Sequence, residues 1–267
     1  MLNYIYWNVD PEIFRIGNFA VRWYGLLFAA AFYVGYMILE KVFQREKVSV
    51  ELLDKMTIYT IVGTVIGARL GHCLFYDFDY YSSNPMEILK IWRGGLASHG
   101  AAIGILTSLY IFSRKYTVKS YFWFIDRIVI VVALGGAFIR LGNLMNSEIV
   151  GNPTTLPWGF VFERLGEDFA RHPAQIYESL AYFATFFVLF SIYKKEGAKV
   201  AERRLLGLFL VMVFGARFIL EFVKDVQVAF EEGMTLNMGQ WLSIPLVLAG
   251  FFLIYLSGKS PQSKAHQ

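Results

Sequence analysis

The sequence predicts an all-α polytopic membrane protein, with about seven transmembrane helices and a small irregular extracytoplasmic cap. Of its 267 residues, 56% are hydrophobic and only 17% are charged, whereas soluble domains carry roughly 25% charged residues. Aromatic residues make up 18% of the chain, which suits the belts of Tyr and Trp that form at membrane interfaces. The third observation is a series of apolar stretches of transmembrane length.

Seven apolar stretches are long enough, or nearly so, to cross about 30 Å of hydrocarbon as helices. They lie near residues 19–39, 56–76, 96–112, 122–139, 176–193, 205–223 and 238–256. The third and the fifth are the shortest of these stretches. We expect residues 1–267 to form a single membrane-embedded domain.

Basic residues at the ends of the spans predict the orientation of the chain. One side of the membrane collects fourteen Lys and Arg residues, including Lys41, Arg114 and Lys194, and the other side collects eight. Because cytoplasmic loops are enriched in Lys and Arg, the N-terminus is predicted outside and the C-terminus in the cytoplasm. The longest connection, at about residues 141–175, then lies outside, and its Pro and Gly residues predict an irregular cap.

A run of polar residues follows the fourth predicted span: Arg140, Asn143, Asn146, Glu148 and Gly151. In lipid an arginine costs at least ~2.5–3.5 kcal/mol, so it persists only at the interface, beside a partner or beside an anionic ligand. The carboxamides and the carboxylate can orient the guanidinium, and glycine lets the backbone approach a ligand closely. The alternative is a helix end whose arginine simply extends to the interface.

The predicted topology brings other unusual polar residues to the same outer side of the membrane. These are Tyr24, His99, His172, Glu178, Arg217, Glu221 and Gln240. Arg217 and Glu221 are four residues apart and so project from one helix face. Because the polar residues within and near the membrane gather on one side, the sequence predicts a functional site there.

Each of these residues also has a purely structural interpretation. Tyr24 can anchor an aromatic belt, and His99 can be a hydrogen-bonded interior histidine among closely packed helices. Arg217 and Glu221 can form a structural ion pair, although charges at that depth usually serve a function. His172 precedes a proline, which is common at the start of a helix.

Four other polar residues in the spans have simpler or ambiguous interpretations. Asp126 and Arg127 lie at the cytoplasmic start of the fourth span and indicate a solvated helix end. Arg69 and His72, in the second span, fit either support of the site or close packing of helices.

The chemistry of the predicted site combines phosphate recognition with proton transfer. Two arginines at the interface can bind a phosphate bidentately, and a histidine near a helix N-terminus favours its neutral form, which accepts a proton. The sequence contains no serine nucleophile elbow, paired-carboxylate glycosidase site or P-loop. Its single cysteine, Cys73, excludes an internal disulfide and a multi-cysteine metal site, and we expect neither a cofactor nor a metal. The net charge of +4 follows from basic membrane loops and indicates no nucleic acid partner.

These motifs resemble the prolipoprotein diacylglyceryl transferase family over nearly the whole chain. The most specific match is at residues 140–151, which are similar to the family pattern R-x-G-N-F-x-N-x-E-x-x-G. Further matches lie at residues 22–25, 67–72, 94–100, 172–178, 217–222 and 240–245. The chain departs from the usual Gly, Gly, Phe and Tyr of the family at Ile139, Ala101, Leu144 and Phe214. None of these departures removes a charged residue of the predicted site.

The resemblance implies transfer of a diacylglyceryl group from phosphatidylglycerol to the lipobox cysteine thiol of a prolipoprotein, the first step of bacterial lipoprotein maturation. The products are a thioether and glycerol 1-phosphate. It also implies a multi-pass protein of the bacterial cytoplasmic membrane, whose partners are phosphatidylglycerol, the prolipoprotein and the lipid bilayer. Since the substrate supplies the nucleophile, Cys73 should be dispensable.

The resemblance also implies which residues bind the substrate. Arg140 binds the phosphate, in a pocket that Asn143, Asn146 and Glu148 shape. The remaining substrate-binding residues are Gly151, His172 and Glu178.

Four residues are implied to act on the leaving group and the thiol. Arg217 stabilises the departing phosphate, and Glu221 orients this arginine. His99 is the candidate general base for the thiol. Tyr24 positions the headgroup or the thiol.

Three other classes of protein fit parts of the pattern. A transporter or lipid flippase would use Arg217 and Glu221 midway along a path, but it predicts polar residues in both halves of the membrane. A non-enzymatic membrane scaffold would leave the clustered residues without a role. Another lipid-headgroup transferase would need a metal site or its own nucleophile, and the sequence offers neither.

Overall fold

A computed structural model of the chain describes residues 4–17, 19–91, 94–225 and 233–259. Eight α-helices occur within these residues. They are α1 (Trp23–Arg45), α2 (Val50–Phe75), α3 (Phe78–Ser83), α4 (Ser98–Lys115), α5 (Tyr121–Met145), α6 (Ala174–Glu196), α7 (Arg204–Leu220) and α8 (Met238–Gly258). Four short strands accompany them: β1 (Ile5–Trp7), β2 (Glu12–Ile16), β3 (Phe19–Arg22) and β4 (Phe160–Phe162). Arg93 and Lys264, which belong to the basic residues used to predict orientation, lie outside the described residues.

Six of the helices, α1, α2, α5, α6, α7 and α8, are long and apolar enough to cross a membrane. The prediction of an all-α polytopic membrane protein is thereby confirmed, and these helices correspond to six of the seven predicted spans. The third predicted stretch also forms a helix, α4, of 18 residues. It is not among the six because His99 lies in its first turn and Arg114 and Lys115 in its last.

The first span begins later than the sequence predicted. Residues 19–22 form β3, which pairs antiparallel with β2 and places Ala20 opposite Arg15. Gly17 lies in the intervening turn at a φ of 58°, a conformation that glycine adopts at no steric cost. Because this hairpin uses the first residues of the predicted span, α1 starts at Trp23 and continues to Arg45.

The chain packs as two compact units. The first unit comprises Met1–Ile38 and Ile128–Gln267, and the second comprises Leu39–Arg127. The single domain over residues 1–267 stays a prediction.

In the second unit, α2 and α4 pack through glycines. A Cβ atom on Gly71 would lie 2.7 Å from the Cα atom of Gly100, and one on Gly63 would lie 2.6 Å from the carbonyl oxygen of Gly104. Small residues at these positions let two helix backbones approach closely, as is common inside membranes.

The second unit also corrects the interpretation of Asp126 and Arg127 as a solvated helix end. Both residues are almost completely buried. The Arg127 guanidinium donates two hydrogen bonds to the Glu46 carboxylate, at 3.0 and 3.1 Å, and Trp123 Nε1 donates a third at 2.8 Å. Glu46 is far away in the sequence, so the pattern around Arg127 could not reveal this partner.

In the first unit, the segment between α5 and α6, which we call the cap, contains little regular structure. Its described elements are β4 and the 3₁₀ helix Glu163–Leu165. β4 pairs in parallel with β1, and Trp7 Nε1 donates a hydrogen bond of 3.0 Å to the Leu144 carbonyl. A small apolar core of Leu144, Phe160 and Phe162 packs beneath Trp7. The cap is therefore fixed to the end of α5.

Candidate active site

The candidate site lies in the first unit, where α5 ends and α6 begins. Arg140 is in the last two turns of α5 and Glu178 is in the first turns of α6. Arg140 Nε lies 3.0 Å from Glu178 Oε2, and its NH1 group donates a hydrogen bond of 3.3 Å to Asn143 Oδ1. The arginine of the central motif therefore has a carboxylate on one side and a carboxamide on the other.

The two carboxamides of the motif share one acceptor. Asn143 Nδ2 donates to Glu148 Oε2 at 3.3 Å, and Asn146 Nδ2 donates to Glu148 Oε1 at 3.2 Å. Because both carboxylate oxygens accept from amides, Glu148 orients the two asparagines. Asn143 in turn presents its oxygen to Arg140. The motif thus works as a connected set of hydrogen bonds that fixes the guanidinium.

The backbone on either side of Glu148 is held in an unusual conformation. Ser147 and Ile149 have φ angles of 55° and 59°, a left-handed region that β-branched residues such as Ile rarely enter. The Gln175 side chain donates a hydrogen bond of 2.6 Å to the Glu148 carbonyl, and the Glu148 N–H donates to the Asn143 carbonyl at 2.9 Å. Such strained positions cluster at functional sites, where the surrounding contacts enforce them.

Lys224 also contacts Glu178. In the sequence it was only one of the eight basic residues predicted on the outer side of the membrane. Its Nζ lies 3.5 Å from Glu178 Oε1 and 3.3 Å from Glu221 Oε2, and the residue is only 7% exposed. In the sequence Lys224 follows Arg217 and Glu221 at the spacing of a helix face, although in the structure α7 ends at Leu220 and Lys224 lies just after the 3₁₀ turn Glu221–Val223. That spacing was the signal that could have identified it.

Arg217 has the longest ion-pair distance of the charged residues in this region. Its Nε atom lies 4.0 Å from Glu221 Oε2, and this Nε atom has no hydrogen-bond partner among the described residues. The side chain is 39% exposed and lines a cleft together with Glu178 and Tyr182. Arg217 is therefore positioned to bind an additional anion.

These five residues form a continuous chain of alternating charge. Its order is Arg140, Glu178, Lys224, Glu221, Arg217. An arginine stands at each end of this chain, and the Glu148 carboxylate, linked to Arg140 through Asn143, brings the connected group to three cations and three carboxylates. The arginines at the two ends are suited to a phosphodiester, which arginine binds by charge-assisted hydrogen bonds.

Tyr24 reaches the same region from the start of α1. A Cβ atom on Gly142 would lie 2.7 Å from Tyr24 Cδ2, so the tyrosine ring lies directly on the backbone of α5 beside Arg140. A larger residue at position 142 would displace the ring.

Gly151 and His172 lie in a tight backbone junction of the cap. The Gly151 N–H donates to the His172 carbonyl at 3.0 Å, and a Cβ atom at position 151 would lie 2.6 Å from both His172 Cβ and the Val223 carbonyl oxygen. The His172 ring lies 3.3 Å from the Tyr177 hydroxyl through Nδ1. These contacts give both residues a role in the architecture of the cap, and their role in substrate binding stays a prediction.

Arg171 connects the cap to the segment that carries Lys224. It donates two hydrogen bonds of 2.6 Å to the Glu167 carboxylate and one of 2.8 Å to Asp225 Oδ2. The hydrogen bonds to Glu167 raise the pKa of the Arg171 guanidinium further above its usual value. This arginine therefore stays charged and holds Asp225 and its neighbour Lys224 against the cap.

His99 lies in the second unit, in the first turn of α4. Its ring packs against Phe75 and Tyr76, with centroid distances of 5.7 and 5.6 Å. The Tyr76 ring also stacks on the His72 ring, with a centroid distance of 5.7 Å. His72 Nε2 lies 3.4 Å from Asp77 Oδ2. Among the described residues, the second unit thus presents His99 between two aromatic rings.

Arg69 determines the course of the backbone that leads to His99. This arginine is only 3% exposed, and its guanidinium donates to four carbonyl oxygens. The acceptors are Glu87 at 2.6 Å, Ile88 at 2.9 Å, Gly94 at 2.6 Å and Gly95 at 3.2 Å. The adjacent Ala68 carbonyl accepts from the N–H of Ala97, which precedes α4, at 2.9 Å. Arg69 therefore holds the backbone that leads to α4, and a role in supporting the site stays a prediction.

The structure brings most of the predicted site residues into one connected group in the first unit. That group contains Tyr24, Arg140, Asn143, Asn146, Glu148, Glu178, Arg217 and Glu221, and Lys224 joins it. His99 belongs to the second unit. Gln240 caps α8, where its amide donates to the Phe218 carbonyl of α7 at 3.3 Å.

The six apolar helices define a multi-pass membrane protein, which carries a cluster of ion-paired side chains at the ends of α5, α6 and α7. A family model for prolipoprotein diacylglyceryl transferase matches residues 11–256. The chain belongs to this family, as its motifs predicted.

Curated relatives resemble the chain over almost its whole length. A protein of Tolumonas auensis is 48% identical over 96% of this chain and 98% of the relative. One of Chloroherpeton thalassium is 47% identical, covering 97% of both chains. One of Porphyromonas gingivalis is 45% identical over 97% of this chain and 96% of the relative. Each of these relatives is named phosphatidylglycerol–prolipoprotein diacylglyceryl transferase.

Proposed function

We propose that this protein transfers the diacylglyceryl group of phosphatidylglycerol to the lipobox cysteine thiol of a prolipoprotein. A C–S bond forms at the glyceryl carbon that bears the phosphate, and the bond from that carbon to the phosphate oxygen breaks. The thiol proton is taken up as glycerol 1-phosphate leaves. Family membership supports the reaction, and the observation that carries the mechanism is the charged chain from Arg140 to Arg217, which has an arginine at each end.

Arg140 and Arg217 are the residues that we assign to the phosphate. Arg140 is held by Glu178 and Asn143, so its guanidinium is oriented before the lipid binds. Arg217 has only a distant partner in Glu221 and can follow the phosphate as charge develops on the leaving oxygen. Preorganised cations of this kind stabilise the transition state without reorganisation at the moment of reaction.

The remaining polar residues of the first unit orient these arginines or line the pocket. Asn143, Asn146 and Glu148 fix Arg140 through the hydrogen bonds described above. Gly151 and His172 complete the wall of the pocket from the cap. Tyr24 contacts the headgroup or the incoming thiol.

His99 is the residue that we assign as general base for the thiol. It lies in the first turn of α4, beside the rings of Phe75 and Tyr76. A neutral imidazole accepts the thiol proton as the sulfur attacks, and general base catalysis of this type contributes about 10²–10⁴-fold in rate.

We also propose that the protein lies in the bacterial cytoplasmic membrane, with its N-terminus outside and its C-terminus inside. The excess of basic residues at one set of span ends supports this orientation. It places Arg140, Arg217 and His99 near the outer leaflet, where the apolar segment and lipobox of an exported prolipoprotein would arrive.

The test is a reaction of the purified protein in detergent with phosphatidylglycerol and a lipobox peptide. We expect wild type to form a thioether-linked diacylglyceryl peptide and Arg140→Ala to form none. Arg164→Ala is the matched control, since Arg164 is well exposed and lies 3.9 Å from Asp10, and it should retain activity.

Two outcomes would contradict the proposal. Modified peptide from Arg140→Ala at the wild-type rate would remove the assigned role of this arginine. A folded wild type that retains bound lipid but never modifies the peptide would instead favour a transporter.

A further inference from the structure

An apolar trough runs along the second unit between α2 and α4. Its floor is the glycine contact between the two helices, which includes Gly63, Gly67, Gly71, Gly100 and Gly104. Because these residues have no side chains, the floor consists largely of backbone. The helices are in direct contact there, so the trough is closed at its base.

Two rows of larger side chains form the walls of the trough. On α2 these are Ile58, Val62, Ile66, Leu70 and Leu74, which are spaced four residues apart and so form one ridge along the helix. Ile103 and Ile111 form the facing wall on α4. Ile66 and Ile103 are 54% and 58% exposed. The walls therefore stand beside an open space rather than against protein.

The chemistry of the trough favours hydrocarbon. Its volume is about 600 Å³. Two hydroxyls that line the trough bond to their own helix: Thr107 Oγ1 donates to the Ile103 carbonyl at 2.8 Å and Ser108 Oγ to the Ile105 carbonyl at 2.9 Å. The hydroxyl of Tyr59, which also lines it, accepts a hydrogen bond of 3.2 Å from Lys115 Nζ. The other lining residues are glycines or apolar side chains, so the trough favours an apolar occupant.

The shape of the trough favours one extended chain over a helical peptide. A helix of ~10 Å diameter and ~25 Å length has a volume on the order of 2,000 Å³, well above the space available. The glycine faces that would admit a third helix are already used, because a Cβ atom on Gly71 would lie 2.7 Å from Gly100 Cα. What remains is a groove narrower than a helix.

One end of the trough meets the surroundings of His99. Phe75 and Gly100 line that end; Phe75 packs on the His99 ring, and Gly100 follows His99 in the chain. The trough also continues the apolar surface of α2, which is long and apolar enough to span the membrane. A lipid chain can therefore enter from the bilayer and still keep its glyceryl end beside His99.

We propose that the trough between α2 and α4 binds one acyl chain of the diacylglyceryl substrate and sets the acyl-chain preference of the enzyme. This inference rests on the proposed function. Each methylene buried in the trough contributes to binding, so long chains gain more from it than short ones.

The experiment is an internal competition between dipalmitoyl and dioctanoyl phosphatidylglycerol in mixed micelles, with the two lipidated peptides distinguished by mass. Ile103→Trp fills the trough, and we expect it to lower the ratio of kcat/KM for the long lipid over the short one by about tenfold, as the loss of roughly two buried methylenes predicts. Leu106→Trp is the matched control, since Leu106 is 43% exposed on the same helix but outside the trough. It should leave the ratio unchanged.

Other outcomes separate this inference from the proposed function. An unchanged ratio in Ile103→Trp, with normal turnover, would overturn the trough as an acyl site. Loss of a co-purified lipid without any change in ratio would also overturn it, because the trough would then hold a structural lipid. If Ile103→Trp is inactive with both lipids, Ile66→Trp decides by the same criterion. A wild type that modifies no peptide with either lipid would contradict the proposed function itself.

Discussion

Two arginines, a partly exposed one in the first unit and a buried one in the second, are satisfied in opposite ways. In the first unit, Arg140 pairs with the Glu178 carboxylate and belongs to a chain of five charged side chains. In the second unit, Arg69 donates to four backbone carbonyls and stacks over the Tyr81 ring at 4.9 Å. Both residues are arginines inside candidate spans, and the sequence alone does not separate them.

The difference between these environments determines what each arginine can do. Arg140 stands at one end of a chain of ion pairs and is partly exposed, so a phosphate can replace or share its partners. Arg69 uses four of its five N–H donors on the loop between α2 and α4 and is only 3% exposed, so its guanidinium is not presented to a ligand. The first unit is therefore built to bind an anion, and the second is built to hold a backbone in place near His99.

The largest effect is expected from breaking the charged chain at Lys224. Lys224→Met leaves Glu178 and Glu221 without the cation between them, and removing one partner of a buried ion pair costs about 3–5 kcal/mol. We expect a loss of this size in the free energy of unfolding, measured by denaturant titration in detergent. Lys224→Arg should retain most of the stability, and Lys195→Met, at an exposed position of α6, should change little. A stable Lys224→Met variant would show that the carboxylates do not depend on this lysine.

A smaller effect, on rate rather than stability, is expected at His99. His99→Gln should lower kcat by about 10²-fold, the lower end of the range for loss of a general base. The measurement is a pH–rate profile for both proteins. Near-normal turnover of His99→Gln across the pH range would exclude base catalysis by this residue.

The next effect is expected from releasing the loop that Arg69 holds. Arg69→Lys keeps the charge but has three donors and no planar fork, so it cannot reproduce four hydrogen bonds to carbonyls. We expect about a tenfold loss of activity, on the order of 1.4 kcal/mol, with faster hydrogen exchange at Gly94 to Ala97. Arg45→Lys, at the exposed end of α1, is the matched control. Unchanged exchange in Arg69→Lys would show that the loop is held by other contacts.

The smallest effect is expected at Cys73, the single cysteine of the chain. It is buried in α2 at 2% exposure, in the same helix as Arg69. Because the peptide supplies the reacting thiol, Cys73→Ala should retain wild-type turnover and lose about 1 kcal/mol of stability, as is typical of a small buried truncation. Loss of the thioether product from a folded Cys73→Ala protein would mean that the enzyme contributes its own nucleophile.

The contrast between the units also explains what the sequence could predict. The charged end of the first unit was predictable for two reasons. The apolar spans predict how deep each polar residue lies in the membrane, and one motif supplies Arg140, Asn143, Asn146 and Glu148 together. Lys224 was accessible through its helical spacing from Arg217. The carbonyl partners of Arg69 could not be predicted, because every residue has a backbone carbonyl and the sequence does not distinguish those that accept a hydrogen bond. The same limit applies to the Glu46 partner of Arg127, whose burial contradicted the expected solvated helix end.

In the proposed reaction, the first unit binds the phosphate of the lipid and the second takes the thiol proton. The most direct test is equilibrium binding of phosphatidylglycerol, without peptide, to wild type, Arg140→Gln and His99→Gln. We predict at least tenfold weaker binding by Arg140→Gln, as loss of hydrogen bonds from a charged group implies, and unchanged binding by His99→Gln. Equal binding by wild type and Arg140→Gln, or weaker binding by His99→Gln alone, would contradict the account.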